Sequence, residues 1–232
     1  MIGMEPLDIL IFGAHPDDAE IGMGGTIAKH AAAGKRVGVC DLTLAEMSSN
    51  GTPELRQQEA AEASRALGLV YRSNLRLPDR GLLRAPDAVD RMVGEIRRCR
   101  PRIVFAPYWQ DRHPDHVAAS RLAEEAVFNA KLRRYLPEAG PAHNVERLYF
   151  YFINDVADPE VAVDVSDVYE AKRNSLRAYA SQFTAGGDAV ATPLNQGYLE
   201  RVEARDSLLG QRVSARYAEG FASKLPHLVH LF

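Results

Sequence analysis

The sequence Ala-His-Pro-Asp-Asp-Ala-Glu at residues 14–20 sets His15, Asp17 and Asp18 almost side by side, directly after the apolar run Leu-Asp-Ile-Leu-Ile-Phe-Gly. Neighbouring carboxylates at the end of a buried strand repel, and each raises the other's pKa unless a positive charge lies close by. A second cluster of the same residue types, His113, Asp115 and His116, follows the run Arg-Ile-Val-Phe-Ala-Pro at 102–107. Neutral imidazole nitrogen and carboxylate oxygen suit zinc or a similar first-row divalent ion, whose charge would stabilise the crowded carboxylates. Three protein ligands with an open position mark a catalytic site, whereas a structural zinc site closes with four. A lone histidine after a strand is more commonly a framework hydrogen-bonding residue. The metal reading is preferred here because two clusters occupy equivalent positions, each just beyond an apolar strand.

Those positions depend on an alternation of strands and helices. Strands are predicted over 7–15, 37–43, 71–77 and 102–107, and helices from 24 to an end at Gly34, over 52–68, over 86–100, and from about His116 or a little earlier to 136. Gly34 suits the first helix's C-terminal turn, and the second helix has Thr52 to cap it, Pro53 at its first position and Gly68 after its last turn. Repeated strand-then-helix units with short links imply an α/β fold, a mostly parallel sheet covered by helices on both faces. In such sheets the binding crevice lies at the carboxyl ends of the strands, so both clusters should face it. Beyond Arg147, strands over 147–154 and 161–166 and helices over 168–183 and 198–213 would complete one domain spanning residues 1–232. There is no internal repeat and no low-complexity linker.

Composition narrows the class of partner. With 46% apolar and 25% charged residues the chain is an ordinary soluble globular sequence, not a disordered or fibrous one. The net charge is -3 and no basic block occurs, which argues against nucleic acid and anionic membranes as partners and for a small polar substrate. Cys40 and Cys99 lack metal-type spacing and read as reduced thiols. The start of the chain has no basic segment, and its apolar run is short and broken by Asp8, so neither a signal peptide nor a membrane span is expected. A cytoplasmic location is expected.

The motifs Ala-His-Pro-Asp-Asp-Ala-Glu and His-Pro-Asp-His together resemble the signature pair of the PIG-L/LmbE family of metal-dependent N-acetylglucosamine deacetylases. The segments at 42–60, 74–82, 178–183 and 216–221 further resemble the branch that deacetylates N-acetylglucosaminyl malate in bacillithiol biosynthesis. One departure is Ala45, where the family pattern leads us to expect glycine. The resemblance implies a Rossmann-like fold, Zn2+ as cofactor with Fe2+ or Mn2+ as alternatives, and a homo-oligomer, a dimer or trimer of dimers. It implies His15, Asp18 and His116 as metal ligands and Asp17 as the general base that takes a proton from water. His113 would stabilise the tetrahedral oxyanion, as an imidazolium or a neutral donor, with Asp115 holding it in the charged state. Asp17, or else His113, would return a proton to the leaving amine. The expected products are acetate and a free glucosamine unit.

Other residues are read against plainer alternatives. Asp115 before a helix is also an ordinary cap. Glu46 and Ser48 in the polar loop before the second helix, Arg56 at its start, and Tyr198 are candidate substrate-binding residues, while surface solvation (Arg56) and helix packing (Tyr198) are their bland counterparts. His30, His143, His227 and His230 have no carboxylate cluster nearby and read as surface or interface residues. The stretch Gly-Met-Gly-Gly-Thr-Ile at 22–27 hints at a dinucleotide site, but Ile27 stands where the fingerprint needs its third glycine, and the carboxylates would repel pyrophosphate. A non-catalytic sugar-binding module would have no need of an uncoordinated acid such as Asp17. A deacetylase of another amino sugar, such as a diacetylchitobiose-type disaccharide, shares the chemistry and differs only in the pocket.

Overall fold

The computed structural model describes residues 4–227. Strands β1 (Ile9–Gly13), β2 (Val37–Thr43), β3 (Tyr71–Leu77), β4 (Ile103–Pro107), β5 (Arg147–Tyr151), β6 (Val161–Asp164) and β7 (Ala218–Ala222) form one sheet in the order β3-β2-β1-β4-β5-β7-β6. The first five strands are mutually parallel, and β7 runs antiparallel to both β5 and β6. From β1 the chain winds outward through β2 to β3, then returns to place β4 on the other side of β1. That reversal makes the carboxyl ends of β1 and β4 a topological switch point, where a crevice opens because the connections leave in opposite directions. Both histidine clusters lie there, as the order of elements implies.

β1 is buried at every position because alternate side chains feed cores on its two faces. Leu10 and Phe12 join Val104, Met92, Ile96 and Ala119, while Ile9 and Ile11 join Ile27, Val39 and Leu176. Helices α3 (Ala88–Cys99) and α4 (Pro114–Ala130) pack together on the first face, and α1 (Asp18–Ala32), α2 (Pro53–Leu67) and α5 (Tyr169–Ala178) on the second. The α2 caps match expectation: Thr52 accepts the Leu55 N–H at 3.2 Å, and Gly68 adopts φ 71°. The one-turn helix α6 (Ala180–Phe183) and the longer helix α7 (Tyr198–Arg212) follow α5.

Several expectations are corrected. Helix α1 begins at Asp18, so the predicted start at residue 24 is too late. Helix α4 ends at Ala130 and not near 136, because the buried guanidinium of Arg97 takes the carbonyls of Ala130, Leu132 and Leu136 and turns the chain away. The helix predicted over 168–183 breaks at Tyr179, whose ψ of 55° is not helical. Strand β7 has no counterpart among the expected strands, since Ala-Glu-Gly-Phe-Ala has little β-propensity and is recruited by its neighbours.

The glycine-rich stretch lies inside α1, not in a loop before a helix. A Cβ on Gly22 would fall 2.2 Å from Cδ2 of Tyr151, and one on Gly25 would fall 2.7 Å from Cβ of Val165. These glycines therefore bring the helix close to the sheet and leave no phosphate cradle. Tyr151 cannot retreat, being fully buried with its hydroxyl donating to the Phe12 carbonyl at 2.8 Å. We expect Gly22→Ala to destabilise the fold by on the order of 1–3 kcal/mol through overpacking, read as a lower urea midpoint with an unchanged slope.

Candidate active site

β1 ends in a turn that carries His15 to Asp18 into the first turn of α1. Asp17 caps that helix with φ 117°, a left-handed conformation costly for any residue with a Cβ. Several contacts hold it there. The Asp17 carbonyl accepts the Ile21 N–H at 2.9 Å, and Nη2 of Arg56 donates both to the Pro16 carbonyl and, at 3.0 Å, to Oδ2 of Asp17. β4 leads to α4, where Pro114 takes the first helical position and the His113 ring caps the helix, its Nδ1 accepting the Asp115 N–H at 3.2 Å.

The two clusters meet over Asp18. Nδ1 of His15 lies 3.6 Å from Oδ2 of Asp18, and Nε2 of His116 lies 3.2 Å from its Oδ1. The other nitrogen of each ring faces a different carboxylate. Nε2 of His15 is 3.2 Å from Asp79 and 3.6 Å from Asp115; Nδ1 of His116 is 3.0 Å from Asp111, though off the N–H direction a good hydrogen bond needs. Asp111 is itself fixed by N–H groups of His113, Asn154 and Asp155. Carboxylates of this kind orient imidazoles for a metal, so the inner set of His15, Asp18 and His116 fits a divalent ion. Two other trios have ligand atoms within 4.8 Å of one another: His15, His113 and His116, and His15, Asp79 and Asp115. The second trio is the poorer set, because Asp115 already accepts the Arg80 N–H at 2.7 Å and Nη1 of Arg80 at 3.1 Å.

The electrostatics describe a place that attracts positive charge. Burial alone would lower the His15 and His116 pKa values, but the carboxylates outweigh it: His15 is raised well above its ordinary value by Asp115, Asp18 and Asp79, and His116 to about 9 chiefly by Asp18. Burial would raise Asp18, yet His116 and His15 hold it well below the usual range. Asp17 behaves differently. Burial and the neighbouring Asp18 push it up to about 6 against the opposing pull of Arg56, within reach of a general base working near neutrality.

Two expected roles change with this geometry. The Asp115 carboxylate does not hold His113 protonated, because it faces Arg80 and His15; nor does Asp115 cap α4, since His113 does. Burial, then His116 and His15, lower the His113 pKa, so its neutral ring accepts at Nδ1 and keeps its proton on Nε2 as a donor. Arg56 borders the crevice but is only 2% exposed; its Nη2 is turned to Asp17 and Pro16, while Nε and Nη1 have no partner in the protein.

The crevice is a cavity of about 600 Å3 lined by His15, Asp17, Asp18, His113 and His116 on its floor, with Ser48, Arg80, Arg112, Pro193 and Tyr198 among the surrounding residues. Glu46 stands outside it, where Oε1 accepts the Asp79 N–H at 2.8 Å and so braces a carboxylate facing His15. Tyr198 sits in the first turn of α7 and donates to Asn154 Oδ1 at 3.2 Å. Ala45 adopts φ 56°, which explains why glycine is the expected residue there; the Ala45 N–H donates to Oγ1 of Thr43 at 3.1 Å. His30 and His143 bond to the backbone carbonyls of Thr26 and Pro101, and His227 stacks on Tyr149. His230 lies outside the described residues. Asp79 and Asp111 are not among the site residues expected from the sequence, yet each carries a signal there: an acid in a turn after β3 and another two residues before His113.

Residues 10–127 match the PIG-L family, described as GlcNAc-PI de-N-acetylase, and the chain belongs to that family. It is 31% identical to a diacetylchitobiose deacetylase of Thermococcus kodakarensis, over 91% of this chain and 81% of that one. It is 30% identical to a 1D-myo-inositol 2-acetamido-2-deoxy-alpha-D-glucopyranoside deacetylase of Rhodococcus opacus, over 76% and 82% of the two chains. Among solved structures, the conserved protein TT1542 of Thermus thermophilus superposes with a TM-score of 0.87 at 44% identity, covering 96% of this chain and 97% of that one. No helix among the described residues is long and apolar enough to cross a membrane.

In metal-free protein the raised His116 pKa contributes stability that is fully present below the unfolded imidazole value of about 6.5 and is lost as pH climbs through the folded value of about 9. Urea denaturation in chelator over about pH 6.5 to 9 should show falling stability, and His116→Asn should flatten that slope. An equally steep fall in the variant would disprove the assignment.

Proposed function

We propose that the chain is a metal-dependent hydrolase of the N-acetyl group of an N-acetylglucosamine conjugate, releasing acetate and the free amine. The observation that carries this reading is the pairing of the His15, Asp18 and His116 donor set with a neighbouring carboxylate, Asp17, that bonds to Arg56 and not to either imidazole. His15, Asp18 and His116 would hold the ion, with zinc favoured by the nitrogen and oxygen donors and iron(II) or manganese(II) also compatible. When bound, such an ion supplies Lewis acidity, polarising the acetamide carbonyl and acidifying water.

The chain's own groups do the rest. Arg56 fixes one oxygen of Asp17 and leaves the carboxylate free to take the proton of the attacking water. The Nε2–H of His113 is the donor offered to the carbonyl oxygen as negative charge develops on it. The proton held on Asp17 then passes to the leaving amine, which completes the exchange without a further acid.

The aglycone reading rests on the rim. Arg80, with its side chain 45% exposed, and Arg112 border the cavity and can meet an anionic group, which supports N-acetylglucosaminyl malate in bacillithiol biosynthesis. A neutral disaccharide of the diacetylchitobiose type is the second reading, favoured by the Thermococcus relative. Acetate release from the malate glycoside, diacetylchitobiose and the inositol conjugate, measured side by side, decides between them. A preference for either neutral substrate overturns the malate reading and leaves the metal chemistry standing.

Asp17→Asn should keep stoichiometric metal and lose on the order of 10²–10⁴ in kcat, the scale of a general base. Ala at His15, Asp18 or His116 should lose metal and activity together. Arg56→Lys removes a two-acceptor brace from Asp17, so it should lower kcat by a similar factor on all three substrates with KM little changed. A selective rise in KM for the malate glycoside would instead return Arg56 to the aglycone.

A further inference from the structure

Helix α1 is broken at Met23, whose φ of -150° and ψ of 26° are not helical. In a continuous helix the Gly25 N–H would donate to Ile21 and the Thr26 N–H to Gly22. Both are instead taken by one buried carboxylate: Oε1 of Glu219 accepts from Gly25 at 2.9 Å and Oε2 from Thr26 at 2.6 Å. The released Ile21 carbonyl is taken by Nη2 of Arg205 at 2.8 Å. The two caps are joined. Arg205 Nε donates to Asp206 at 2.9 Å, and Lys172, fully buried, bridges Asp206 at 2.7 Å and Glu219 at 2.6 Å.

Arg205 also reaches the other half of the site. Its Nη1 donates to the carbonyls of Phe152 and Ile153 at 3.1 and 3.2 Å. The next residue, Asn154, donates its N–H and its side-chain amide to Asp111, the carboxylate that faces His116. One guanidinium thus ties the turn that carries Asp18 to the turn that aligns His116. We propose that Arg205 is a positioning residue of the metal centre, setting the separation of the Asp18 and His116 donors from behind without touching ion or substrate. This rests on the metal reading above. Lysine cannot reproduce the tie, because a single ammonium cannot span the Ile21 carbonyl, the Phe152–Ile153 carbonyls and Asp206 in one plane.

The test is zinc affinity by competition with a chromophoric chelator, measured with thermal unfolding on wild type, Arg205→Lys and Asp206→Asn. The latter keeps the shape of Asp206 but loosens Arg205. Folded variants should bind zinc more weakly by up to about 10-fold, the lower end of the loss that follows removal of a direct partner of a metal ligand, because Arg205 acts one step further out, with the deficit in kcat recovered at saturating zinc. A folded variant of either kind with wild-type zinc affinity overturns the proposal and leaves Arg205 a fold residue. If Arg205→Lys does not fold, Asp206→Asn alone decides. Wild-type protein that takes up no zinc, iron(II) or manganese(II) would overturn the metal reading itself, and the role of Arg205 with it.

Discussion

Charge crowding at the carboxyl ends of β1 and β4 is the constraint on which the structure turns. Asp18, Asp79, Asp111 and Asp115, each with a side chain less than 6% exposed, converge there on two imidazoles, and Asp17 lies beside them against Arg56. Burying so many carboxylates is costly unless each has a partner. The fold supplies partners from every side: Arg56 for Asp17, His15 and His116 for Asp18, backbone N–H groups for Asp111, Arg80 for Asp115. What remains after that pairing is a surplus of negative charge aimed at one point. A divalent cation is the simplest complement to it.

The parallel core of the sheet was legible because β1, β2 and β4 are apolar on both faces, and because Thr52, Pro53 and Gly68 bracket α2 in the residue types that caps demand. The His and Asp clusters were legible because topology puts the ends of β1 and β4 together once the alternation is read. What escaped the sequence was decided by tertiary contact. β7 has no strand pattern of its own, and α4 stops where Arg97, distant in sequence, takes its carbonyls. The partners of Asp115 could not be read either: its neighbours in sequence suggested His113, but Arg80 reaches it from the loop after β3.

The same reasoning separates chemistry from selectivity within the site. Asp17, Asp18, Arg56 and His116 are buried and fixed by framework elements, so their arrangement does not depend on what is attached to the sugar. Arg112, Ser48 and Pro193 stand on loops around the cavity, where side chains can change without disturbing the core, and Arg80 joins that rim while its Nη1 pairs with Asp115. Relatives named for different conjugates of N-acetylglucosamine are what this division predicts, since a common floor can serve many rims.

The break in α1 belongs to that floor. A continuous helix would keep the Ile21 carbonyl and the Gly25 and Thr26 N–H groups to itself, and nothing would then couple the Asp18 turn to α7 and β7. By breaking at Met23 the helix exposes backbone groups that Glu219 and Arg205 can grip, at the expense of burying Lys172, Asp206 and Glu219, with Arg205 partly buried beside them, in one circuit. Buried ion networks are weak evidence for stability, because an apolar replacement is often as stable. Their better-supported use is to specify one arrangement among several. In this chain the arrangement specified is the approach of Asp18 to His116, which explains why charge sits where a packed apolar contact would have served stability alone.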